Sequence, residues 1–149
     1  MAATTSGAIK ARIESLGIHV PVFRDGPRPD QAPPYIVVTE ALSTGLDLRG
    51  NGDFGDPAAA INIVETVTVD LIQNARLKTG GTTRNVERYG LAEALAHALH
   101  AHPLPAHPAK VTAVRVTDLD RFPIADNRVR HSITVAIHRE LLTSEVIPA

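Results

Sequence analysis

Three side chains near the middle of the chain are the best candidates for metal chemistry. Glu93, His97 and His100 lie at positions i, i+4 and i+7 of an Ala/Leu-rich stretch, so a helix would place them on one face. One carboxylate and two imidazoles could ligate zinc, which makes a small zinc-binding enzyme or metal module the alternative function. However, the stretch lacks the H-E-x-x-H pattern, and histidines near a helix C-terminus also complement the helix dipole. We therefore favour a solvated helix face, and we predict no cofactor.

A glycine-rich segment offers a second possible site. Residues 50–55 read G-N-G-D-F-G, which matches the dinucleotide-binding pattern by letter. The glycines of that motif open a helix, whereas Pro57 and an alternating strand follow here, and Asp53 would repel a phosphate. A calcium loop is disfavoured because Arg49 stands where the second ligand should be. Cysteine and the G-x-S-x-G pattern are absent, so the sequence predicts a protein that is not an enzyme.

The composition indicates one soluble globular domain over residues 1–149. Hydrophobic residues make up 44% and charged residues 21%, and the net charge is −1. This charge gives no reason to expect nucleic-acid or membrane binding over the whole surface, and 3% aromatic residues make a base-stacking platform improbable. The sequence contains no apolar run of the ~20 residues that span a bilayer, so we expect no membrane association.

One stretch, residues 60–73, organises the predicted fold. Its apolar side chains fall on every second position, and its polar side chains fall between them. Period-2 alternation rich in β-branched residues predicts a long strand with one buried face. The other predicted elements are a helix from Ser6 to Leu16, strands at 18–23, 35–42, 111–118 and 128–139, and a helix that Asn85 caps, with Glu87 in its first turn.

This order, α-β-β-β-α-β-β, predicts an α+β fold. We expect a five-stranded, largely antiparallel sheet with two helices packed on one face. The last strand has the clearest pattern, with Val129 and Ile133 facing the core and Arg128 and Arg130 facing outward. The chain from residue 142 onward is expected to be a loose tail.

The segment 43–59 is the second feature that points to function. It has no periodicity, and an irregular segment of this length in a small domain is unusual. Its apolar side chains, Leu46, Leu48 and Phe54, could pack on their own domain or on an adjacent subunit. The predicted interface combines this loop with the arginines of the last strand: Leu46, Leu48, Arg49, Phe54, Arg128 and Arg130.

The chain resembles the tail-terminator, or tail-completion, proteins of long-tailed bacteriophages. The resemblance lies in the short helix AIKARIESL, the loop into PPYIVV, the strand INIVETVTVDLIQ, the helix LAEALAHALHA and the strand HSITVAIHRE. Compared with that family, this chain has few aromatic residues and a long segment between the second and third strands.

The resemblance implies a structural virion protein without catalytic residues. Such a protein forms a homo-oligomeric ring, typically of six subunits, that caps the tail tube, ends its polymerisation and joins the tail to the head connector. The implied partners are the tail tube protein and the head–tail connector protein, and DNA passes through the lumen without specific binding. The implied location is the neck of the virion tail, with assembly in the host cytoplasm. Another head–tail connector component remains a neighbouring alternative.

Overall fold

The computed structural model describes residues 4–27, 30–47 and 62–140. The predicted interface residues Leu48, Arg49 and Phe54 and the predicted tail from residue 142 lie outside these ranges. The elements are α1 (Thr5–Glu14), β1 (Val22–Arg24), β2 (Tyr35–Asp47), β3 (Asn62–Asn74), β4 (Arg76–Thr79), β5 (Thr82–Asn85), α2 (Tyr89–Leu99), β6 (Val111–Ile124) and β7 (Arg128–Glu140).

The main sheet has five strands in the order β1-β2-β3-β7-β6. The pairs β2–β3, β3–β7 and β6–β7 are antiparallel, whereas β1 pairs with β2 in parallel. The predicted α+β class with a largely antiparallel five-stranded sheet is therefore confirmed, although the sheet is mixed. A separate two-stranded sheet, formed by β4 and β5, is an addition that the sequence analysis did not predict.

β3 has the central position that its alternation predicts. It pairs along its length with β7 on one side and with most of β2 on the other. Val67, Val69 and Leu71 are fully buried, whereas the intervening Thr66 and Thr68 are half-buried. In β7, Ile133 is likewise buried on the same side. One face of the sheet therefore carries the core, as a half-buried antiparallel sheet should.

Both described helices pack against this buried face. Ile9 and Ile13 of α1 and Leu91, Leu95 and Leu99 of α2 join the strand side chains in one apolar cluster. The i, i+4 spacing of these residues gives each helix an apolar stripe toward the sheet. The helices span 10 and 11 residues, which is too short to cross a membrane.

The helix starts differ from the predicted ones. Thr4, not Ser6, caps α1, because its backbone is extended and its hydroxyl accepts the Gly7 N–H at 3.1 Å. The helix ends at Glu14 rather than Leu16. α2 begins at Tyr89, so the prediction of an Asn85 cap with Glu87 in the first turn was wrong. The Asn85 side chain instead accepts the Glu87 N–H at 3.0 Å, which is a local turn contact that competes with helix capping.

Three segments outside the predicted strands are extended. β2 continues through residues 43–47, past a shift in register after Thr39, and β6 continues through residues 119–124. The segment between the predicted central strand and the second helix forms the β4–β5 hairpin. Its turn contains Gly80 and Gly81, both at positive φ, which is the backbone that two-residue hairpin turns of type I′ require.

Candidate interaction surface

The β4–β5 hairpin and the β6–β7 turn meet at one end of the sheet. We call this region, residues 72–89 and 121–130, the hairpin end. The Ala75 N–H donates to the Asn127 carbonyl at 2.9 Å, and the Asn127 amide donates to the Arg76 carbonyl. Asp126 and Asn127 take the left-handed backbone that Asp and Asn tolerate best among non-glycine residues. These two contacts hold the β6–β7 turn against the start of β4.

Buried Gln73 holds the segment that follows the hairpin. Its side-chain carbonyl accepts the Arg88 N–H at 3.0 Å, and its amide donates to the Arg88 carbonyl at 3.3 Å. Gln73 is 3% exposed, and these two bonds satisfy both ends of its amide. They fix the chain immediately before α2, so the hairpin projects from a rigid base.

Glu87 forms the main electrostatic contact of the hairpin end. Its carboxylate accepts two bonds from the Arg121 guanidinium, at 2.9 and 2.7 Å, and His131 Nε2 lies 3.1 Å from its Oε2. The side chain of Glu87 is 1% exposed. The paired bonds from Arg121 lower the pKa of Glu87, although burial alone would raise it. The loop before α2 is thereby held to β6 and β7.

This shift predicts how the Glu87→Gln variant responds to pH. Because the pKa of Glu87 in the folded chain lies below its ordinary value of 4.5, its stabilising effect is complete above that pH and is lost as the pH falls through the folded-state value. We expect Glu87→Gln to lower the free energy of unfolding at pH 6, and we expect the deficit to shrink below about pH 4.5. Urea unfolding of the variant and of the unaltered chain across pH 3–6 measures this difference in the free energy of unfolding, with Glu93→Gln at an exposed position as the control. A deficit that stays constant would contradict this electrostatic role.

A second buried polar network, separate from the one around Glu87, surrounds Glu65 on the core face of β3. The Thr5 hydroxyl donates to Glu65 Oε1 at 2.7 Å and lies 2.9 Å from His107 Nε2. His107 Nδ1 accepts the Ala109 N–H at 2.9 Å, so a neutral ring donates from Nε2 to Thr5. The Nε of Arg139 donates to the same oxygen of Glu65. This network ties α1 and residues 107–109 to the main sheet.

The second network contains a hydroxyl, an imidazole and a carboxylate, but not in the order that nucleophilic catalysis uses. In nucleophilic catalysis, the imidazole takes the proton of the hydroxyl, and the carboxylate orients the imidazole. Here the Glu65 carboxylate accepts from Thr5 itself, and the His107 ring donates to that hydroxyl. All three residues are at most 9% exposed. The arrangement instead gives these buried polar groups hydrogen-bond partners in the interior.

The side chains of the alternative metal site, Glu93, His97 and His100, do not converge on a common centre. Glu93 and His97 are exposed on α2, whereas His100 lies beyond the helix end, where its Nδ1 accepts the Val116 N–H at 3.0 Å. Within residues 4–27, 30–47 and 62–140, no three His, Asp or Glu side chains are grouped so that they could hold a metal ion. His100 and Ala101 instead cover the edge of β6, since the Ala101 N–H also donates to the Val114 carbonyl at 2.8 Å.

The predicted interface residues have different positions. Arg128 and Arg130 lie on the outward side of β7, as predicted, and the guanidinium of Arg130 is 5.2 Å from the ring centre of Phe122. The backbone of Leu46 is part of β2 and pairs with Ile63, rather than being part of an irregular loop. The candidate interaction surface therefore includes the β4–β5 hairpin as well as Arg128 and Arg130. The Gly80–Gly81 pair between two alternating polar runs was the sequence signal for it.

Among the side chains that the structure describes, the large apolar ones are exposed mainly at this same end. Leu77 of β4, Tyr89 of α2, and Phe122 and Ile124 of β6 are each at least 40% exposed. Such a concentration is typical of a surface that contacts another molecule.

Of the comparisons with known proteins, only the one with solved structures finds a similarity, and it concerns the fold. No protein-family model matches the sequence, and no curated protein is significantly similar to it. Among solved structures, the fold is similar to that of a chain in the virion of the native gene transfer agent (GTA) particle, with a TM-score of 0.64 and 12% identity. The match covers 94% of this chain and 97% of the other. At this identity, the similarity establishes a shared fold.

Proposed function

We propose that this chain is a structural protein of a phage-like particle, and specifically a tail terminator. In this role it forms a homo-oligomeric ring, typically of six subunits, that caps the tail tube, ends its polymerisation and joins the tail to the head connector. The main support is the fold shared over almost the whole length with a chain of the GTA virion. The tail-terminator resemblance of the sequence, which rests on the order of its elements, points to the same class of particle.

The shape of the sheet supports a protein that works in an assembly. A closed ring requires heterologous contacts, in which two different patches of each subunit meet. The sheet ends in two unlike edges, the three-residue β1 and the fourteen-residue β6. The segment after α2 covers the first half of β6, whereas Leu119 and the rest of its second half are exposed. Exposed edge strands are sites where another chain can add, so β6 is a reasonable subunit contact.

The proposal assigns no catalytic step and no cofactor to the protein. Its partners are further copies of the chain, the tail tube protein and the head–tail connector, and its place is the neck of the tail. Another head–tail component with the same fold is the nearest alternative. The zinc hypothesis gains no support, because His100 bonds to β6 and lies off the helix that carries Glu93 and His97.

Native mass spectrometry of the purified protein, followed by electron microscopy, tests the proposal. We expect a closed oligomer of one defined subunit number and ring-shaped particles. When the protein is added to polymerising tail tube protein, we expect the tubes to stop growing and to carry one ring at an end. A chain that remains monomeric both alone and with tubes would contradict the assignment.

The predicted loop contact leads to a specific variant. Leu48→Glu together with Phe54→Glu is expected to give a folded protein that no longer assembles, because charged side chains cannot be buried against a neighbouring subunit without a large cost. These substitutions spare Leu46, whose backbone pairs within β2. Circular dichroism checks the fold, and native mass spectrometry measures assembly. Normal rings would show that this loop is not the subunit contact.

A further inference from the structure

The hairpin end concentrates positive charge in a chain that is slightly acidic overall. Residues 72–89 and 121–130 contain seven arginine and lysine residues against two carboxylates, a net charge of +5. The whole chain carries −1, so the remainder carries −6. The sequence does not reveal this asymmetry directly, because residues 72–89 and 121–130 are separated by the α2 segment. The fold brings them together through the bonds of Asn127 with Ala75 and Arg76 and through the Glu87–Arg121 ion pair.

Most of these cations have no carboxylate partner among the described residues. Arg121 is paired with Glu87, whereas the ion pairs found in the described part of the chain do not involve the other six. Five of the six are exposed, and Arg128 is half-buried. The six are Arg76, Lys78, Arg84, Arg88, Arg128 and Arg130. Within the part of the chain that the structure describes, no ion pair offsets the repulsion among these six cations, so a bound polyanion would stabilise this surface.

The hairpin presents its cations in an extended array. Arg76 and Lys78 point to one side of β4, and Arg84, which lies opposite Leu77, points to the other side. The exposed Thr82 and Thr83 hydroxyls add neutral donors between them. A two-stranded ribbon of this kind is narrow enough to enter a nucleic-acid groove.

We infer that the hairpin end binds the phosphate backbone of nucleic acid without sequence preference. The inferred ligand is a regular polyanion, because the cations follow a ribbon and a turn rather than enclosing a pocket. Arginine dominates the set, and its planar fork matches phosphate oxygens. The exposed Tyr89 and Phe122 rings lie at the same end and could contact unpaired bases.

The test is fluorescence anisotropy with a labelled 20-base-pair duplex and the corresponding single strand, at 50–300 mM salt. We expect binding that weakens steeply with salt, with a log–log slope of about −4 to −5 on duplex if most of these cations meet phosphates. The double variant Lys78→Glu with Arg84→Glu should weaken binding on the order of 100-fold at low salt and reduce the slope by about two. Both residues are exposed on the small hairpin, away from the core, so the variant should fold.

A matched variant provides the control. Lys110→Glu with Arg115→Glu makes the same change in net charge at exposed positions outside the hairpin end, and it should bind almost as tightly as the unaltered chain. Equal losses in both variants would overturn the inference, since total charge would then explain the binding. Absence of binding at 50 mM salt would overturn it as well. Competition by polyglutamate as strong as that by DNA, charge for charge, would identify a docking surface for acidic proteins instead.

Discussion

Replacing Glu65 with alanine is expected to lower the free energy of unfolding by about 3 kcal/mol. Glu65 is 9% exposed and its partner Arg139 is 5% exposed, so water cannot replace the lost carboxylate. The variant removes the carboxylate oxygen that accepts both the Nε–H of Arg139 and the hydroxyl of Thr5. A drop of this size should lower the melting temperature by roughly 6–12 °C. Urea unfolding at pH 7 measures the change.

A double-mutant cycle separates this interaction from a simple loss of packing. We expect Glu65→Ala and Arg139→Ala to be strongly coupled, by more than about 1 kcal/mol, since each removes the same contact. Glu93→Ala, at an exposed position of α2, should change stability by less than about 0.5 kcal/mol. If the losses at Glu65 and Arg139 simply add, the two charges do not act as a pair.

Replacing Leu71 with alanine should be about equally damaging, at about 3 kcal/mol, for a different reason. Leu71 is fully buried in β3 and pairs with Ile36 of β2 and His131 of β7. Its truncation removes apolar contacts and leaves a cavity between the sheet and the helices, and buried Leu→Ala changes cost 2–5 kcal/mol. Thermal and urea unfolding at pH 7 both report the loss.

Leu77 provides the matched control for this second variant. It is the same residue type six positions further along the chain, but on β4 it is 42% exposed. Leu77→Ala should therefore change stability by less than about 0.5 kcal/mol. Similar losses at Leu71 and Leu77 would show that the core is not centred on β3, and would contradict the fold described above.

Several features were predictable because they follow from local rules. The alternation of residues 60–73 identified β3 and its buried face, since period 2 in a strand leaves little freedom in which side faces the core. The same rule placed Ile133 inside and Arg130 outside in β7. The leucines of α2 identified its apolar stripe.

Other features were missed because tertiary contacts overrode a local preference. A carboxylate shortly after an Asn cap fits the first turn of a helix, which is where the sequence placed Glu87. In the structure, Glu87 lies in the segment before α2. Its carboxylate is bound there by Arg121, which lies 34 positions further along the chain. Pro123 lies beyond the end of the strand predicted at 111–118, yet β6 continues to Ile124, because an edge strand accepts a proline. The Gly80–Gly81 hairpin, in contrast, had a local signal that could have been used.

The sequence by itself determined the fold class, the central strand and the sides that the main strands bury, because hydrophobic periodicity is a property of neighbouring residues. Only the tertiary structure decided which distant polar residues meet. The pairs Glu87–Arg121 and Glu65–Arg139 each join separate elements, and the cations of the hairpin end come from two segments on either side of α2. Electrostatic interactions depend on distance in space rather than on position along the chain. Periodicity could not predict them, and the candidate surface emerges only from the fold.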